Sequence, residues 1–172
     1  MSLRSEIYDT PGYSASLMLE PEELEALKGI VNEHYRRGLK KNLNLQLSSD
    51  VNAYHLLNLE NHSEIWKKED RFFDQKSIEI IKKFKFIDVL KDVFGDFYIS
   101  NKVNQDGELE EEEEIYWRLV RPHEKTDVGN FHADIWFSEI YGYKEKLYSN
   151  FETLKVWIPV YICLLYTSDA AD

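Results

Sequence analysis

Residues 129–137 read GNFHADIWF. His132 and Asp134 stand two positions apart in an aromatic run that follows a Gly-Asn bend. Such a run predicts a strand, and in a strand residues i and i+2 lie on the same face. The two side chains can then reach one point from adjacent corners. A non-haem iron(II) centre asks for two histidines and one carboxylate on one face of an octahedron, with the other positions open. The pair supplies two of those three ligands with little strain. Spacing alone is a weak signal, because five histidines and 32 acidic residues in 172 positions give about one His-x-acid match by chance. A second match, His62-Ser63-Glu64, reads as surface because its neighbours are polar. His132 differs in its context of aromatic residues and in the preceding strand-like stretch that ends RLVRPH, residues 118–123.

Working outward, the N-terminal half is helical by pattern. LEPEELEALKGIVNEHYRRGL predicts a helix that opens at Pro21, with Glu20, Glu22 and Glu23 complementing the positive end of its dipole. Leu24, Leu27, Val31 and Tyr35 recur at helical spacing, and Gly38 reads as the stop. VNAYHLLNLENHSEIW is mixed, with room for a short helix. DQKSIEIIKKFKFIDVLKDVFGD predicts one or two helices capped at Gly95. FYISNKV after it reads as a strand. NQDGELEEEEE reads as a turn and a solvated acidic loop, because a block of like charge lacks the spaced acids and sharp turn of a calcium site. Ile115–Pro122 and Leu154–Tyr161 read as two further strands on either side of the His-x-Asp run.

The chain is 43% hydrophobic and 14% aromatic, enough for one domain with a real core. It has no apolar run of membrane-spanning length and no secretory signal at MSLRSEIYDTPGY. A net charge of −11 disfavours nucleic acid and anionic lipid as partners. A single cysteine excludes an internal disulfide and a thiolate metal cage, and a cytoplasmic protein is the default. The last ten residues, CLLYTSDAAD from Cys163 to Asp172, read as translated sequencing adaptor. Without Asp169 and Asp172 the net charge is −9. On this reading residues 1–162 are the N-terminal part of a single domain of a longer protein.

YWRLVRPHEKTDVGNFHADIWF, residues 116–137, followed downstream by LKVWIPVY, residues 154–161, resembles the phytanoyl-CoA dioxygenase family. The early EPEELEAL helix and VLKDVFGDFYIS fit the same pattern, so the resemblance covers most of residues 20–162. It implies an α+β fold, with N-terminal helices packed on an incomplete double-stranded β-helix, a jelly roll. It implies an iron(II)/2-oxoglutarate-dependent dioxygenase that hydroxylates a small-molecule, acyl or sugar-type metabolite. It implies His132 and Asp134 as iron ligands. The family's second histidine and its 2-oxoglutarate-binding basic residue lie beyond the VWIP strand. No histidine follows His132 here, and the adaptor reading accounts for that. The truncated chain itself is then expected to be inactive.

Arg118 and Arg121 are candidates for holding the anionic cosubstrate. In an alternating strand Arg118 shares a face with Tyr116 and Val120, and Arg121 with Trp117 and Leu119. A surface salt bridge is the competing reading for each, and His123 reads as a loop residue. The competing reading of the whole chain is a non-catalytic acidic binding domain, with His132 and Asp134 structural.

Overall fold

The longest element is an N-terminal helix, and the reasons are local. In the computed structural model, α2 runs Pro21–Leu43, with Pro21 in its first turn. The Glu23 carboxylate accepts the Glu20 N–H at 3.0 Å and satisfies one of the donors that a helix start leaves open. Leu27, Ile30, Val31, Asn32, His34, Tyr35, Gly38 and Leu39 are its buried residues, a stripe at helical spacing. Residues 2–9, 12–46, 50–57, 59–60, 62–103, 108–121, 124, 127 and 152–161 are described by the structure.

A short helix α1, Leu3–Tyr8, precedes α2. A 3-10 helix over Val51–Leu57, α3 over His62–Ile65 and a 3-10 turn over Lys68–Arg71 follow it. The stretch read as one or two helices is two, α4 Gln75–Ile81 and α5 Lys85–Phe94. Asp74 caps α4 by accepting the Ser77 N–H at 2.9 Å, and Gly95 ends α5 at φ 87°, as its reading as a cap predicted.

Gly38 does not stop α2. The helix runs on to Leu43 and ends at Asn44, in the left-handed region at φ 53°. A Cβ on Gly38 would lie 2.2 Å from Trp66 Cζ3, so the glycine is a notch that lets Trp66 approach the helix backbone. Trp66 is the centre of an aromatic core. Tyr35 stacks on it at 5.8 Å, and Tyr54 and Trp117 meet it edge-on at 6.0 and 5.1 Å.

The jelly-roll expectation is overturned. Among the described residues the only sheet is an open antiparallel pair, β1 Asn101–Val103 with β2 Leu109–Glu113, and helices make up most of the rest. β2 is the acidic run itself, which had read as a loop. FYISNKV is a strand only from Asn101. Residues 115–121 form no ladder. They make one isolated bridge, Phe72 to Tyr116, with Phe73 N–H donating to the Ile115 carbonyl and Trp117 N–H to the Arg71 carbonyl. Residues 154–161 are irregular, with Trp157 66% exposed. The physical reason is that alternation reports only which face is buried. Ile115, Trp117 and Leu119 do turn inward and alternate with exposed neighbours, but they pack on helices and the Phe72–Phe73 backbone. The FHADIWF run and residues 163–172 lie outside the described residues.

Candidate functional site

Among the described residues, a cluster of ionisable side chains forms where Arg121 and Asp127 meet the 3-10 helix and α3. Arg121 follows the inward parity of Trp117 and Leu119, so its guanidinium turns toward the core. There it forks onto Asp127, Nε to Oδ2 and Nη2 to Oδ1, both 2.8 Å. The Arg121 backbone N–H adds a bond to Oδ2 at 2.9 Å, and Nη1 donates to the Leu59 carbonyl at 2.7 Å. Arg118, on the exposed parity, donates from Nη2 to the Asp127 carbonyl at 3.0 Å. The side chains of Asp127 and Arg121 are 1% and 13% exposed.

His62 completes the cluster. Its Nδ1 lies 3.0 Å from the Tyr54 hydroxyl and 3.8 Å from Asp127 Oδ2, and its side chain is 13% exposed. The surface reading of His62 is therefore corrected. Its polar neighbours in sequence say nothing of the chain segment that folds over it. Burial lowers the His62 pKa, partly opposed by Asp127. Burial works to raise that of Asp127, but the Arg121 bonds, with nearby His62, hold it below the usual carboxylate value. Burial raises that of Tyr54.

Ser77, His34 and Asp74 form a second cluster, reminiscent of a nucleophile, a base and an orienting acid. Its geometry is wrong for that chemistry. Ser77 Oγ at 3.2 Å and Asp74 Oδ2 at 3.7 Å both address His34 Nε2, whereas a relay places the acid on the opposite ring nitrogen. Asp74 also takes Arg37 Nη1 at 2.9 Å and caps α4, so this cluster joins α2 to α4.

The iron(II)/2-oxoglutarate dioxygenase expectation is not supported by this architecture. Among the described residues no group of three or more His, Cys, Asp and Glu side chains could hold a metal ion, and no barrel exists to carry one. The expected cofactors, iron(II) and 2-oxoglutarate, are corrected with it, as is the expected small-molecule substrate. Two open surface grooves lie among the described residues, one at Ser2, Arg4, Ser5, Tyr8 and Asp9, the other along Glu33, Arg36, Arg37, Lys40, Leu45 and Gln46. Neither is near an ionisable cluster suited to oxidation chemistry. His132, Asp134 and His123 lie outside the described residues. Arg118 and Arg121 do come together, on Asp127.

Reasoning from sequence missed Tyr54, His62 and Asp127. The usable signal was the parity that turned Arg121 inward, since a buried guanidinium demands a carboxylate nearby. No helix among the described residues is long and apolar enough to cross a membrane. Searches against protein-family models, curated proteins and solved structures found no match to this chain.

Proposed function

We propose that this chain is a non-catalytic acidic binding domain that meets a positively charged partner through its β1–β2 ribbon. The observation that carries the reading is the ordering of the acidic run as strand β2, with Glu110, Glu111 and Glu112 exposed along it. On that ribbon Glu112 pairs with Lys102 and Glu113 with Lys82. A charged, ordered ribbon on a chain of net charge −11 attracts cations over several ångströms and orients them at short range. The inner ionisable groups support the same reading, because the Arg121–Asp127 and His34–Asp74 clusters bond within the chain. A cytoplasmic setting, supported by the single cysteine, belongs to this proposal. So does a structural role for His132 and Asp134.

The test is titration of the full chain with a fluorescent oligolysine at two salt concentrations, beside the triple variant Glu110→Gln, Glu111→Gln, Glu112→Gln. Three exposed charges at roughly 0.3–1 kcal/mol each weaken binding by about 5- to 150-fold. Equal binding by the variant, or binding insensitive to salt, refutes the reading. His132→Ala and Asp134→Ala are expected to lower Tm and leave oligolysine binding unchanged.

A further inference from the structure

The backbone from Leu109 to Trp117 is used on two sides. On one side it meets β1 and the residue before it. Glu114 N–H donates to the Ser100 carbonyl at 2.7 Å, and the Glu110 carbonyl accepts Asn101 Nδ2 at 2.9 Å. On the other side it meets residues 71–75. Trp117 N–H donates to the Arg71 carbonyl at 2.9 Å, the Ile115 carbonyl accepts the Phe73 N–H at 3.0 Å, and the Glu113 carbonyl accepts Gln75 Nε2 at 2.8 Å. Even-numbered residues serve the first side and odd-numbered ones the second, the alternation of an extended backbone. Glu111 is the next position in the odd row. The chain that fills this row turns away into α4 at Gln75, and among the described residues no strand lies beside Glu111. Pairing with β1 is also incomplete at this point. Asn101 pairs with Glu113 and Val103 with Leu109, so three residues, Glu110–Glu112, stand opposite Lys102 alone.

An open edge invites another strand, and proteins guard such edges with charge. Here the guard has one sign. Glu110, Glu111 and Glu112 are exposed, Glu112 pairs with Lys102, and among the described residues Glu110 and Glu111 have no ion-pair partner. A second copy of this edge would set carboxylates opposite carboxylates at about 5 Å, which is destabilising. A strand carrying Lys or Arg would set cations there instead and gain backbone hydrogen bonds as well. We propose that the basic partner of the ribbon is an extended peptide segment that adds as a strand along the outer edge of β2. It lies beside Glu111 as residues 71–75 lie beside Glu113, Ile115 and Trp117. This rests on the binding reading above and names the form the partner takes.

The experiment compares two fluorescent oligolysines of equal length and charge on the full chain. One is ordinary; the other is methylated at every backbone amide, which keeps the cations and leaves no N–H to donate. Affinity is read by titration, and amide exchange at Glu111 is read at saturation with the ordinary oligomer. The methylated oligomer is expected to bind at least about tenfold more weakly, for about two lost backbone bonds. Protection of the Glu111 amide is expected to rise by at least about tenfold. Equal affinities, or a Glu111 amide that exchanges as fast in the complex as without it, overturn strand addition and leave the acidic ribbon as a binding surface. Failure of both oligomers to bind overturns the binding reading and this proposal with it.

Discussion

Gly38→Ala and Gly29→Ala make the same change in the same helix and are expected to have opposite effects. Both glycines lie inside α2, where alanine is better than glycine by about 1 kcal/mol of helix propensity. Gly29 has nothing within 4 Å of an added Cβ, so Gly29→Ala is expected to stabilise by roughly 0.5–1 kcal/mol. At Gly38 the added carbon meets Trp66 Cζ3 at 2.2 Å, Cη2 at 2.8 Å and Cε3 at 3.3 Å. Carbon atoms rest at about 3.5–4.0 Å, so the ring or the helix must move by more than about 1 Å. Trp66 cannot swing away, because Tyr35, Tyr54 and Trp117 enclose it at 5.8, 6.0 and 5.1 Å and it is 2% exposed. Overpacking a rigid site costs about 1–3 kcal/mol, occasionally more, and here the upper end applies. Net of propensity, Gly38→Ala is expected to destabilise by roughly 1–3 kcal/mol. Urea unfolding followed by circular dichroism measures both variants. Adding Trp66→Leu to Gly38→Ala should recover part of the loss, a coupling that a double-mutant cycle isolates. If Gly38→Ala stabilises the chain as Gly29→Ala does, the notch is not there and the packing of Trp66 on α2 is wrong.

Three other outcomes are expected. Arg121→Met leaves the Asp127 carboxylate buried without its fork and costs about 3–5 kcal/mol in urea unfolding; Arg121→Met with Asp127→Leu recovers much of it, and a loss no larger in the single variant than in the double contradicts the buried pair. Asp74 resists its burial through bonds from Ser77 and Arg37, which hold its pKa well below the usual carboxylate range. It therefore contributes stability above the unfolded value of 3.8 that is lost as pH falls through the folded one, so an acid titration of Tm should be shallower in Asp74→Asn than in the wild type. Tyr116 is pushed up to about 12, by burial and then by Glu114, so its stabilising effect is complete below the unfolded value of 10.0 and lost as pH rises through about 12; ultraviolet titration should lose its most alkaline step in Tyr116→Phe.

Much of the helical half could be read from the chain itself. Pro21 and the glutamates around it mark where α2 begins, because a helix start needs acceptors and tolerates a residue without an N–H. Gly95 marks where α5 ends, because a positive φ is cheapest for glycine. Gly38 carries the same letter and a different meaning. Its role depends on Trp66, which lies in the chain beyond the end of α2, and no local rule contains that partner. The strand readings failed for a related reason. Ile115, Trp117 and Leu119 alternate because one face is buried, but a strand also needs a neighbouring backbone, and among the described residues that neighbour is the short Arg71–Phe73 stretch.

The ionisable site divides in the same way. The parity of residues 115–121 turned Arg121 inward, and that much is a property of extended backbone geometry. Its pairing with Asp127 closes over six residues, but the approach of Asp127 to His62 came from the crossing of two chain segments more than fifty residues apart in sequence. The sequence by itself determined where α2 starts, where α5 stops, the net charge of −11 and the apolar stripe of α2, because these depend on bonds and solvation within a few residues. Only the tertiary structure decided that His62 is enclosed, that Gly38 is a notch and that the acidic run is a strand. Each of those depends on which distant surface arrives beside it, and burial free energy rewards any arrival that excludes water without naming the partner in advance.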